Sequence, residues 1–159
     1  METEVFEYEV QAVEDRLEDY ILNEEEIDQQ IERLEYLTSK MTSISSQVLT
    51  GMPSAPSVST DRMADMLSRK EELETSIREA IQKQSIERTY LEGIVKKLRK
   101  PEQRAVIRLR YFDKLEWDEV LEAMYSNKED FDERRESYER KMYRKRREAI
   151  TGMAIILSR

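Results

Sequence analysis

The chain has 159 residues, 38% of them hydrophobic and 39% charged, with a formal net charge of −8 and neither cysteine nor histidine. So polar a composition suits long helices that bury a narrow stripe rather than one compact globule, and the missing residue types exclude disulfides, thiolate nucleophiles, imidazole bases and the usual zinc ligands. No run approaches the roughly 18 apolar residues of a membrane span, the acidic start METEVFEYEV is unlike a signal peptide, and three glycines leave no phosphate-cradling loop. An enzyme, a cofactor and a membrane partner are therefore not expected, and a cytoplasmic location is.

From Val10 the apolar positions step by three and four through Val13, Leu17, Tyr20, Ile27, Ile31, Leu34 and Met41, with Glu24 and Thr38 in the vacant places. A heptad seam of that length, free of Pro and Gly before Gly51, predicts one helix over about residues 5–48. Its apolar residues are the candidate oligomerisation surface. Glu24, Glu25, Glu26 and Asp28 point in several directions from such a helix, and are read as solvated rather than as metal ligands. TGMPSAPSVSTD (50–61) is a loop by composition, with Ser59, Thr60 or Asp61 as candidate caps for the next helix.

That second helix carries Met63, Met66, Leu67, Leu73, Ile77, Ala80, Ile81, Leu91, Ile94, Val95 and Leu98 at helical spacing, weakened by Gln84 and Glu87. It is expected to stop near Lys100, because Pro101 disfavours a helical residue before it and can open a new helix. Two such helices joined by a Pro/Gly loop suggest an antiparallel hairpin over residues 1–98. A parallel dimer through the first helix would bury the same seam, and the periodicity does not separate the two.

After Pro101 the elements become short. PEQRAVIRLRYF (101–112) predicts a helix with Val106, Ile107, Leu109 and Tyr111 or Phe112 available to a core, and DKLE a turn. EWDEVLEAMY (116–125) predicts another helix with Trp117, Val120, Leu121 and Met124 on one side, Trp117 serving as a core anchor. A polar break, SNKEDFDE, precedes a last helix from about Arg134 to Leu157, frayed or bent at Gly152. The fold class is thus all-α: a coiled-coil hairpin over residues 1–98 and a three-helix domain over 99–159. The methionines lie in the apolar stripes as core filler.

Charge is distributed unevenly: residues 1–59 hold 14 acids and 3 bases, whereas six of the eight residues Arg140 to Arg147 are basic. If Met142 faces inward, a step of about 100° per residue places Tyr138, Ala149 and Met153 beside it and Arg140, Arg144 and Arg147 opposite, with Lys141 and Tyr143 on the flanks. Such a ridge can lie in the major groove and reach phosphates and guanine edges. Arg134, Arg135 and Lys145 complete the candidate DNA-contacting set. The plain alternative is a solvated face whose cations favour the helix C-terminus. Arg104, Arg108 and Arg110 are open to either phosphate contact or salt bridging.

Leu98, Pro101 and Arg104, followed by VIRLRYFDKLEWDEVLEAMY (106–125), resemble region 4 of bacterial sigma factors. Joined to RKMYRKRREAI (140–150) and a helical N-terminal half, the chain is similar to phage late transcription regulators of the ArpU and RinA type and to a streptococcal phage family of unknown function. The likeness covers about residues 90–152, and residues 126–137, SNKEDFDERRES, look like an insertion against it. It implies a helix-turn-helix regulator of phage or mobile-element genes in a bacterial host. Its partners would be double-stranded DNA, further copies of itself, a dimer above all, and RNA polymerase. Two other classes stay open: a structural or assembly protein whose coiled coil is the working part, and a small terminase-like packaging protein.

Overall fold

The computed structural model describes residues 5–49 and 56–159, and the side chains of residues 5–44 and 61–159. Every described element is helical: α1 (Glu7–Leu49), α2 (Pro56–Val95), α3 (Pro101–Ile107) with a π-helical continuation (Arg108–Phe112), α4 (Trp117–Tyr125) and α5 (Arg135–Leu157). None of the described helices is long and apolar enough to cross a membrane. Two compact units are present, one of Met1–Leu22 with Ile86–Arg159 and one of Asn23–Ser85.

In the unit of residues 23–85, Ile27, Leu73 and Ile77 are buried together with Gln84. Ile27 and Gln30 line one groove with Ala80 and Gln84, and Tyr36 and Lys40 line another with Asp65 and Arg69. Numbers rise along α1 as they fall along α2, so the helices run antiparallel. In the other unit Arg16 binds Glu87, and Val13, Leu17, Tyr20 and Ile21 share one core with Leu91, Ile94 and Val95. The seam is therefore buried by the chain's own second helix. Val13, Leu17, Tyr20 and Ile27 are not a free surface for another copy, and Val10, Ile31, Leu34 and Met41 are half-buried.

α2 begins at Pro56, inside the stretch expected to be a loop, while residues 50–55 of that stretch lie outside the described residues. Proline suits a first helical position, where its fixed φ is already helical and its missing N–H is not needed. Ser59, Thr60 and Asp61 are consequently helix residues rather than caps. At the other end α2 stops at Val95, earlier than Lys100. The amides of Lys97 and Leu98 bond back three residues, to Ile94 and Val95, at 3.0 Å each. Lys100 is extended (φ −92, ψ 127) and Pro101 opens α3, as the steric conflict before a proline requires.

The core of this unit gathers the base of the hairpin with all three short helices. α3 passes into a π turn in which the amide of Asp113 reaches the carbonyl of Arg108 at 2.9 Å. A turn closed by five residues is wider than an α turn, and it lets Val106, Ile107, Tyr111 and Phe112 all be buried. The alternative between Tyr111 and Phe112 is thereby resolved in favour of both. Lys114, in the left-handed region at φ 59, reverses the chain. In the first turn of α4 the N–H of Glu116 donates to the Glu119 carboxylate at 3.2 Å, one half of a capping box.

Two expectations are corrected here. Trp117 is only partly buried and packs on the margin of the core; at the first position of α4 its ring lies against Tyr143 and beneath the Arg110 and Arg146 guanidinium groups, while Val120, Leu121, Tyr125 and Phe131 are buried in the interior. α5 runs through Gly152 without a break to Leu157. The glycine instead permits close packing, since a Cβ at position 152 would lie 2.8 Å from Cδ2 of Leu98.

Candidate nucleic-acid interface

Helical geometry sorts the side chains of α5. Met142, Ala149, Ile150, Met153 and Ala154 are buried against the other helices of the unit, and Tyr138 is partly buried. The Tyr138 hydroxyl donates to the Asp130 carboxylate at 2.6 Å, which ties the start of α5 to the preceding turn. That bond holds the Asp130 carboxyl below its usual range and the Tyr138 hydroxyl above its own.

On the opposite face Arg140, Arg144 and Arg147 are exposed, and among the described residues they form no ion pair. The remaining candidates lie beside them but are engaged on the protein. Arg134 pairs with Asp130 at 3.7 Å, and Arg135 with Glu122 at 3.8 Å while covering the Phe131 ring. Lys141 is 3.8 Å from Glu102 and stands over the Tyr125 ring. Tyr143 packs on Trp117 with ring centroids 5.2 Å apart. Lys145 is turned inward, its side chain 15% exposed and 3.3 Å from Glu148. Arg134, Ser137, Arg140, Lys141 and Arg144 line a shallow groove of about 230 Å³ with Tyr138.

Arg146, the one base of the run outside the candidate set, has a different task. It donates to Glu14 at 2.8 Å and to the Tyr111 hydroxyl at 3.1 Å, and lies 3.8 Å from Glu18. Tyr111 in turn donates to Glu18 at 3.4 Å. Burial works against the charged guanidinium, but the bonds to Glu14 and Tyr111 outweigh it and its pKa is raised. Burial pushes the Tyr111 hydroxyl up as well, against the pull of Arg146. This network fastens α5 to the base of α1. A sequence signal existed: four residues after Met142, Arg146 falls about 40° from the inward direction.

Arg104, Arg108 and Arg110 are also engaged by groups of the same chain. Arg104 donates to the Leu98 carbonyl, Arg108 reaches Glu92 at 2.6 Å, and Arg110 donates to the Leu115 carbonyl at 3.0 Å. Of their two readings the structure favours the intramolecular one. Among the described residues no group of three or more carboxylates is placed to hold a metal ion.

Fold and surface together define an all-helical protein in which the base of a long hairpin and three shorter helices present an arginine ridge. The chain belongs to the DUF1492 family, described as a protein of unknown function, whose model matches residues 56–152, from the start of α2 into the last turns of α5. No curated protein and no solved structure matches it.

Proposed function

We propose that the protein is a sequence-specific DNA-binding transcriptional regulator acting on phage or mobile-element genes in the cytoplasm of a bacterial host. The observation that carries this reading is the ridge of Arg140, Arg144 and Arg147, exposed and unpaired among the described residues in a chain with 35 acids to 27 bases. Where carboxylates are in excess, cations left without one are suited to an anion from outside. Residues three and four apart on a helix stand about 5–6 Å from each other, and a helix of about 10–12 Å diameter fits a major groove about 12 Å wide. Phosphate neutralisation would supply most of the affinity. A dimer would offer two such helices to two half-sites, and the acidic first third of the chain would face a basic partner such as RNA polymerase rather than DNA.

The test is fluorescence anisotropy with duplex DNA at two salt concentrations. Binding should weaken steeply with salt and favour some sequences over others. Arg144→Ala with Arg147→Ala should weaken it by roughly tenfold or more, since each arginine bonded to a base edge is worth about 1–3 kcal/mol, with helix content unchanged. A parent protein that fails to bind duplex DNA at low salt would leave the coiled-coil assembly alternative standing in its place.

A further inference from the structure

The turn between α2 and α3 reads KKLRK, residues 96–100, so four of its five positions are cationic. Lys96, Lys97, Arg99 and Lys100 are all exposed, and none forms an ion pair among the described residues, while Leu98 between them is buried at 4% exposure. The backbone here is held from both sides: the amides of Lys97 and Leu98 close tight turns onto α2, and Arg104 donates to the Leu98 carbonyl. Four long cations thus radiate from a braced loop around one buried leucine.

That loop is packed against α5. Leu98 lies where a side chain at position 152 would have to go. Lys100 acts on Glu148 of α5, whose carboxyl is held below its usual range chiefly by the Gln103 amide and then by Lys145 and Lys100. An open groove of about 630 Å³ lies between Gln103 and the ridge residues Arg144 and Arg147. Glu148, which lines this groove, is already engaged by Gln103 and Lys145.

We infer that the KKLRK turn is a second DNA-contacting element, gripping the phosphate backbone of the duplex whose major groove the α5 ridge enters. The dimensions agree. Packed helical segments lie about 8–10 Å apart, so a turn packed beside a helix at the centre of a groove about 12 Å wide lies past the groove wall, about 6 Å from that centre, within side-chain reach of the bordering phosphates. Flexible lysines on a fixed loop neutralise phosphates without reading bases, so the turn supplies affinity and orientation while the arginine ridge supplies sequence preference. This inference rests on the DNA-binding proposal above.

The two are separated by measuring the salt dependence of duplex binding for three full-length proteins: the parent, a K96Q/K97Q/R99Q/K100Q variant, and an R140Q/R144Q/R147Q variant. Removing two to four phosphate partners should make the slope of log K against log salt shallower by about 2–4 in the turn variant, at roughly 0.9 per neutralised phosphate, with the ranking of DNA sequences unchanged. The ridge variant should lose that ranking. An unchanged slope in the turn variant beside a weakened ridge variant overturns the inference and leaves the DNA reading intact. No duplex binding by the parent overturns both. If the turn variant instead abolishes a salt-sensitive self-association seen by light scattering while DNA binding is untouched, the turn serves an acidic protein surface and the inference is again wrong. Should the fourfold variant fold poorly, K96Q/K97Q and R99Q/K100Q are each expected to show about half the change in slope.

Discussion

Arg144 and Arg146 stand two residues apart in one basic run, yet truncating them should damage different properties. Arg146→Ala removes a charge-assisted bond to Glu14 at 2.8 Å and a bond to the fully buried Tyr111 at 3.1 Å. Bonds in which one partner is charged contribute about 1.5–3 kcal/mol, and the lower end applies to the two together because they share one guanidinium and the Glu14 side chain is 34% exposed. The more distant and more exposed Glu18 adds less than about 1 kcal/mol. A loss of about 2–3 kcal/mol is therefore expected, against within about 0.5 for Arg144→Ala, which is exposed and unpaired. Urea denaturation followed by circular dichroism is the suitable assay, since guanidinium chloride would screen the ion pair. With a urea slope of about 1–3 kcal/mol per molar, the midpoint should drop by about 0.7–3 M. A Glu14→Gln, Arg146→Met double-mutant cycle should give a coupling energy of about 1 kcal/mol or more. Equal urea midpoints for Arg146→Ala and Arg144→Ala would show that the Glu14–Arg146–Tyr111 network does not hold α5 in place.

Gly152→Ala sets a helix-propensity gain of about 1 kcal/mol against overpacking of Leu98 at about 1–3. The clash should prevail because Leu98 is 4% exposed, and Leu98→Ala in the same chain should turn Gly152→Ala from destabilising to stabilising; a stabilised single variant in the urea assay would contradict the packing. The Tyr125 hydroxyl, buried and donating to Glu102 at 3.4 Å, is pushed up to about 12. The folded chain then keeps a proton that the unfolded chain releases from about pH 10 upward, so this contribution is complete below pH 10 and is lost as pH rises toward 12. Tyr125→Phe should make the alkaline fall in the urea midpoint shallower than in the parent, and an unaltered profile would refute the assignment. Trp117→Ala should cost about 1–3 kcal/mol rather than the 3–5 of a fully buried ring, because the ring serves to pack on Tyr143 and to lie beneath the Arg110 and Arg146 guanidinium groups. A loss above about 4 kcal/mol by urea denaturation would return the ring to the interior.

Periodicity is a property of neighbours on one helix, and what depends on it was legible in the residues. The step of 100° separates Met142, Ala149 and Met153 from Arg140, Arg144 and Arg147, and the structure buries the first three and exposes the others. The all-helical class and the extended residue before Pro101 follow from equally local rules. What a face meets is a different question, because two partners with the same apolar spacing satisfy one seam equally well. Only the tertiary structure shows that Val13 and Leu17 share one core with Leu91 and Val95 of the same chain, and that Arg146 is held by a carboxylate 132 residues away. It also decides that Trp117 packs on the margin of the core while Phe131, from an apparently polar break, enters it, and that Gly152 serves close approach within a continuous helix. Side-chain identity and spacing determine orientation about a helix axis; which surface lies opposite is determined by where distant segments are brought together, and that is set by the packing of the whole core.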